Sequence, residues 1–387
     1  MKQIYLDYAS TTPIDKSVAD EISCYLHNDI FGNPASNTHY FGWKAKEAVE
    51  KSRAKVADII SATPKEIIFT SGATESDNLA IKGVAFAYQD KGRHIITSSV
   101  EHQAVIDTCL FLKKQGFSVT FIDPDSNGQI TCAQIQQALC DDTILISLMA
   151  VNNELGTYYP IADVGALARE RHILFHVDAA QGVGKIPIDV NAMKVDLLSI
   201  SAHKMYGPKG IGALYVRRTP KIKLTPLIHG GGHEYGFRSG TLATHQIVGI
   251  GAACQLMKDN REKFYRHALQ LRNYFLEKIN QLPKIIVNTP LENSYPGIIN
   301  ITFEGIDGEA LIALLHNLAV AMGSACASSS MEPSHVLAAI GLTPTQAHAS
   351  LRFSFGKDTT FKEIEFASEE IINAVTKLRK LSPQWQK

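Results

Sequence analysis

The sequence predicts an α/β protein built on a mainly parallel sheet. From about Asp15 to Lys258, short apolar runs alternate with amphipathic stretches of helical period. The apolar runs are near-continuous, as strands buried on both faces require. Each run closes on small or polar residues, and the carboxyl ends of such strands are where α/β proteins bind ligands.

The series opens with Ile67-Ile68-Phe69-Thr70, a strand that runs into Ser71-Gly72-Ala73-Thr74-Glu75-Ser76. A helix follows and turns Leu79, Ala80, Val84 and Ala87 inward. Backbone N–H groups at a helix start, with Gly72 permitting close approach, suit an anion such as a phosphate. Ala73 and Thr74 are the candidates, although many helices begin this way and bind nothing. The next strand, Ile95–Ser98, leads to Glu101-His102-Gln103 and a helix over Ala104–Lys114. An imidazole at His102 can stack on a ring and move protons near neutral pH; a lone histidine is more often structural. The strand Ile144–Val151 reaches Asn152-Asn153-Glu154, where Asn153 fits a turn as well as a ligand contact.

The run Ile173–Val177 reads as a buried strand that Asp178 terminates. A carboxylate there suits a pyridine nitrogen that must stay protonated, and Gln181 just beyond suits a ring hydroxyl. The commoner role of an aspartate after a strand is a helix N-cap. A further apolar run ends in Ser199-Ile200-Ser201-Ala202-His203-Lys204, then a Gly/Pro turn, then Ile211–Val216. That is strand, loop, strand, with a lysine delivered at a strand end. Held among hydroxyl and imidazole groups, Lys204 suits a Schiff base with an aldehyde cofactor such as pyridoxal phosphate (PLP). A solvated loop lysine would be the ordinary reading of Lys204 alone.

Beyond Gln246 a long helical period runs to Leu282, through Ile247, Ile250, Leu256, Phe264, Leu271, Phe275 and Ile279. It carries the chain into a second region. There Gly297–Phe303, a short strand before Cys326, and Ser350–Phe355 read as strands, with helices over Gly308–Leu318 and Thr360–Leu381. The segment Ala321-Met322-Gly323-Ser324-Ala325-Cys326-Ala327-Ser328-Ser329-Ser330 shows neither period and reads as a mobile loop. Most free cysteines are small buried hydrophobes, but the flanking serines and glycine point to a reactive Cys326. The other cysteines, Cys24, Cys109, Cys132, Cys140 and Cys254, form no Cys-x-x-Cys pair. Their scatter suits a reducing compartment.

With 387 residues, the chain is long enough for roughly two or three domains. Its 38 basic and 38 acidic residues cancel, so no net field recruits nucleic acid or an acidic membrane surface. Neither a signal-peptide core nor an uninterrupted apolar stretch of membrane-spanning length is present. A cytoplasmic protein is the expectation.

In order, Thr-Ser-Gly-Ala-Thr-Glu-Ser, Glu-His, Val-Asn-Asn-Glu, His-Val-Asp-Ala-Ala-Gln, Ser-Ala-His-Lys and Gly-Ser-Ala-Cys make a strong combined resemblance. The chain resembles the cysteine desulfurases of the NifS/IscS type, PLP enzymes of the class V aminotransferase group. The resemblance runs from Tyr5-Leu6-Asp7-Tyr8 to Leu381-Ser382-Pro383. It implies the PLP-dependent aminotransferase-type fold (fold type I). Residues 15–258 would form the large PLP-binding domain with a mainly parallel seven-stranded-type sheet. Residues 1–14 and 259–387 would form a smaller α/β domain carrying the catalytic cysteine.

The resemblance also implies roles. Lys204 would bond PLP, Asp178 would pair its ring nitrogen, and Gln181 its ring hydroxyl. His102 would stack on the ring and act in acid–base steps. Ala73, Thr74, Ser201 and His203 would hold the phosphate, and Thr241 would reach the phosphate of the neighbouring subunit in a homodimer. Asn153 would lie beside the ring and the substrate carboxylate, and Arg352 would clamp that carboxylate. L-Cysteine would become L-alanine, leaving a persulfide on Cys326. Iron–sulfur cluster scaffolds and tRNA-thiolation proteins would take the sulfur, with Cys326 a transient iron–sulfur ligand during transfer. A selenocysteine lyase or aminotransferase on the same fold, or a non-catalytic sulfur-assembly scaffold, are the alternatives. Ala180, Gly182 and Ala321-Met322 depart from the usual family strings without removing a needed group. Relatives of this kind continue past Leu-Ser-Pro-x-Trp, whereas only Gln386 and Lys387 follow Trp385 here, so weaker scaffold docking is the expectation.

Overall fold

A computed structural model describes residues 3–27, 30–322, 333–381 and 385. Cys326, with the Gly-Ser-Ala-Cys string around it, lies outside the described residues. The strands are β1 (Ile4–Tyr5), β2 (Ile67–Thr70), β3 (His94–Ser98), β4 (Ser118–Ile122), β5 (Thr143–Met149), β6 (Leu174–Asp178), β7 (Leu197–Ser201), β8 (Gly212–Val216), β9 (Ile285–Val287), β10 (Ile298–Phe303), β11 (Leu318–Ala319) and β12 (Ser350–Ser354). The helices needed below are α1 (Lys16–Ser23), α2 (Tyr40–Asp58), α3 (Ala73–Tyr88) and α4 (Gln103–Lys114). They are followed by α5 (Cys132–Ala138), α6 (Ile161–Glu170), α7 (Thr244–Ile279) and α8 (Gly308–Leu314).

The large sheet has seven strands in the order β2-β8-β7-β6-β5-β3-β4. Pairings from β4 across to β7 are parallel, and β8 runs antiparallel to both β7 and β2. The predicted α/β class and mainly parallel sheet are therefore observed. Both faces are covered, and side chains alternate between two cores. Ile67, Phe69, Leu198 and Ile200 enter one, while Ile68, Leu197, Leu214 and Val216 enter the other with Leu79, Val84, Val105 and Cys109. Burial on both faces explains why these strands read as unbroken apolar runs.

The long helical period beyond Gln246 is the single helix α7, whose far end joins a third core. That core takes Leu271, Phe275 and Ile279 from α7, with Leu6, Ile299, Ile301, Leu351 and Phe353. Its sheet is β12-β10-β9, all antiparallel. The short strand expected before Cys326 is β11, which pairs in parallel with β1. That pairing shortens the predicted helix Gly308–Leu318. Helix α8 stops at Leu314, the Leu318 N–H turns back to Leu315 O, and Leu318 joins Ile4 instead.

Candidate active site

The carboxyl ends of β2, β3, β5, β6 and β7 open on one cavity of about 370 Å³. Ala73, Thr74, His102, Asn153, Asp178, Gln181, Ser201, His203, Lys204 and Arg352 all line it. Residues scattered over 280 positions thus meet because parallel strands deliver their ends to one edge. Thr241 does not line this cavity; it is exposed on the surface of its own chain.

The turn after β2 is built for close approach. Gly72 has φ +156° and ψ −179°, a conformation open almost only to glycine. It caps α3, so the first N–H groups of a 16-residue helix face the cavity rim. Glu75 in that first turn would oppose an anion, but it is already engaged. Ser71 N donates to Glu75 Oε2 at 2.8 Å, and Arg238 Nε donates to Oε1 at 2.8 Å. Burial pushes Glu75 up, and these two partners more than offset it, so its carboxyl titrates low.

Asp178 is the last residue of β6 and is buried. No helix follows it, so it is not the N-cap considered from sequence; instead Ala180 N donates to its Oδ1 at 2.9 Å. Burial raises its affinity for a proton, and the nearby His102 and Lys204 pull the other way. His102 N-caps α4, its Nδ1 accepting from Ala104 N at 3.1 Å. This anchors the ring beside the cavity from a helix start.

Lys204 ends a single 3₁₀ turn after β7. Its Nζ donates to Ala9 O at 2.7 Å and Ser10 O at 2.6 Å. His203 Nδ1 lies 3.1 Å from Thr11 Oγ1. Burial, then the charges of Lys204, Lys209 and Lys185, push His203 down to about 4, so its imidazole is neutral near pH 7.

Arg352, on β12, is almost fully buried. Its Nη1 donates to Asn153 O at 2.7 Å, and its Nη2 to Asp7 Oδ1 at 2.8 Å and Ser10 Oγ at 2.7 Å. Nε has no hydrogen-bond partner among the described residues. Nε–H and one Nη1 hydrogen therefore remain without a protein acceptor among the described residues.

Several participants carried no sequence signal as site residues. Ala9 and Ser10 act through backbone carbonyls nearly 200 positions from Lys204. Asp77, Glu101 and His176 form a buried layer behind Asp178. His176 Nε2 lies 3.6 Å from Asp77 Oδ1, with Ser147 and Ser199 hydroxyls 2.9 and 3.0 Å from the His176 ring nitrogens. Burial pushes His176 down to about 3 and Glu101 up to about 8, while burial and the Asp178 charge raise Asp77 well above the usual carboxylate range. The one available hint was polarity inside otherwise apolar strands, as in Phe175-His176-Val177. Among the described residues no cluster of His, Cys, Asp and Glu is gathered as a metal site would need. No helix among them is long and apolar enough to cross a membrane.

A family model described as aminotransferase class-V matches residues 4–366, and the chain belongs to that family. Cysteine desulfurases IscS of Vibrio campbellii and Pseudomonas aeruginosa are 55% and 54% identical to it over 383 residues, 99% of this chain and 95% of theirs. At that likeness over nearly the whole of both chains, this is an enzyme of the cysteine desulfurase branch. A solved NifS-like protein superposes with a TM-score of 0.90 at 36% identity, covering 97% of this chain and 100% of that one. SspA in complex with cysteine gives 0.83 at 42% identity, covering 92% and 100%.

Proposed function

We propose that this chain converts L-cysteine to L-alanine with PLP held at Lys204, and passes the sulfur to Cys326 as a persulfide. The observation that carries this is the single cavity shared by Lys204, Asp178, Gln181, His102, the α3 N-terminus and Arg352. PLP, when bound, supplies an electron sink for the substrate carbon. Asp178 would hold the ring nitrogen's proton, and Gln181 would meet the ring oxygen. Ala73, Thr74, Ser201 and a neutral His203 would hold the phosphate. Arg352 would fix the substrate carboxylate beside Asn153, and His102 and Lys204 would move protons at the substrate carbon.

The Cys326 thiolate then attacks the substrate sulfur. The C–S bond breaks, its electron pair stays on carbon, and a proton completes alanine. The S–S bond formed leaves the persulfide on Cys326. Sulfur acceptors such as an iron–sulfur cluster scaffold would collect it, with Cys326 a transient cluster ligand. Thr241 would complete the phosphate site of a partner subunit in a homodimer, in the cytoplasm. The division into a large domain over 15–258 and a smaller one over 1–14 and 259–387 belongs to the same reading. Incubation with L-cysteine and PLP tests it: alanine and sulfide should appear together in the presence of a thiol. Amino-group transfer to the cofactor without sulfide would reject it.

A further inference from the structure

Lys185 has no task in the chemistry above, yet it is only 9% exposed. Its Nζ donates to Gln181 Oε1 and stands 5.6 Å from the centre of the Tyr295 ring. The two residues are four apart on one tight turn, in which Gly182 N donates to Ala179 O and Lys185 N to Gly182 O. Gly184 permits that turn: its φ is +77°, and a Cβ there would come 2.7 Å from Met257 Cβ. Burying an ammonium is expensive. Burial, then the charges of Lys204 and Arg352, push Lys185 down to about 7. A methionine would fill similar space without that penalty, so the informative feature is the donor.

The donor acts on Gln181. With Oε1 taken by Lys185, Gln181 Nε2 donates one hydrogen to Ala9 O at 2.7 Å. Turned over, the amide would set its oxygen against the Ala9 carbonyl, a repulsion in either state of Lys185, and its NH2 against the Lys185 ammonium, a second repulsion while that group is charged. One Nε2 hydrogen is left, on a side chain that lines the cavity. We propose that Lys185 is a positioning residue: it locks the Gln181 amide so that only an N–H is offered to the cavity, and the cofactor's ring oxygen must meet it as an acceptor.

This rests on the PLP reading above. A donor stabilises negative charge on the ring oxygen. That charge is greatest once the nitrogen shared with Lys204 has lost its proton, so the donor lowers the pH at which that proton leaves. Titratable neighbours that share a small second pocket with Lys185 are Tyr8, Lys204, Tyr206, Tyr295 and Lys357. On the outer side they are Tyr158, Arg261, Glu262 and Tyr265, with Arg352 adding charge.

The test titrates the visible absorbance of the PLP-loaded enzyme against pH in wild type, Lys185→Met, Gln181→Ala and the double variant. Lys185→Met should move the midpoint up by about one unit. In the Gln181→Ala background the same substitution should add no shift. A shift that persists without Gln181 would overturn the proposal, since Lys185 would then act by charge alone. An unmoved midpoint in Lys185→Met would overturn it too. A wild-type protein that takes up no PLP fails the cofactor reading itself, and the absence of any titrating band identifies that case.

Discussion

Lys204 and Gln181 share one acceptor: Lys204 Nζ and Gln181 Nε2 both donate to Ala9 O, each at 2.7 Å. With Ser10 O as second acceptor, the segment after β1 forms a cradle for the Lys204 amine. The same segment supplies Asp7 and Ser10 to Arg352. The chain's first residues therefore hold both Lys204 and Arg352.

Lys204→Ala should abolish the yellow colour that PLP acquires when bonded to a lysine. Turnover should fall by at least about a hundredfold, because in the proposed reaction the same amine would anchor the cofactor and move protons. Absorbance of the PLP-loaded protein and alanine formation report the two effects. An unchanged spectrum with full activity would remove Lys204 from the site.

Cys326→Ser separates the sulfur step from the cofactor. The variant should bind PLP and turn yellow as wild type does, because none of the residues proposed to hold PLP is altered. A serine hydroxyl is a poor acceptor of sulfur at neutral pH. Sulfide release should therefore fall to a small fraction of the wild-type rate, and wild-type yields of sulfide would reject the role of Cys326.

Arg352→Lys keeps the charge but loses the planar fork. One ammonium cannot serve Asn153 O, Asp7, Ser10 and a substrate carboxylate at once. The KM for L-cysteine should rise by about tenfold to a hundredfold, with a smaller change in kcat and an unchanged cofactor spectrum. Steady-state kinetics on the loaded enzyme decide it, and an unaltered KM would show that the carboxylate binds elsewhere.

Much of the sheet and most of the site were legible because parallel strands announce themselves twice. Their apolar runs are unbroken, and their ends carry the polar residues, as at Asp178 and Lys204. What stayed hidden depends on packing between distant segments. Ala9 contributes a carbonyl that no side chain advertises. Lys185 reads as one lysine among many until burial sets it against Gln181. Asp77 and Glu101 look like ordinary acids of helix starts, and only the layered sheet shows them enclosed. Helix α8 ended early for the same reason, since the β1–β11 pairing is a contact across more than 300 positions.

Glu101 makes stability depend on pH. Ser98 Oγ and Met149 N donate to its Oε1 at 2.7 and 3.0 Å, and Oε2 has no hydrogen-bond partner among the described residues. Burial raises its pKa from 4.5 to about 8. Between those values the folded chain binds a proton that the unfolded chain has lost, so stability falls as pH rises through that window. Glu101→Gln keeps an acceptor for Ser98 and Met149 and carries no charge. Near pH 8 it should be more stable than wild type by on the order of a few kcal/mol, with the gap closing toward about pH 5. Denaturant midpoints at both pH values, at matched protein concentration, measure this; parallel pH dependence in the two proteins would count against it.

Thr241 offers the sharpest test of assembly, because it is exposed and absent from its own cavity. The loop before it is nevertheless held rigidly. Arg53 donates to both Glu234 carboxylate oxygens, at 2.8 and 2.7 Å, in a buried pair. Phe69 N also donates to Glu234 Oε2, and Arg238 is tied to Glu75 at the start of α3. A loop fixed in this way, with its threonine facing outward, suits delivery to another subunit. Thr241→Ala should weaken PLP retention by about tenfold, the worth of one hydrogen bond to a charged group. A mixed dimer decides where that contact is made. One subunit carries Lys204→Ala and its partner carries Thr241→Ala. If Thr241 serves the partner's site, the intact Lys204 receives an intact Thr241, and one of the two sites works normally. If Thr241 serves its own chain, neither site is whole, and the mixture does no better than the separate variants. Alanine formation at limiting PLP, measured on purified mixed dimers, separates the two outcomes.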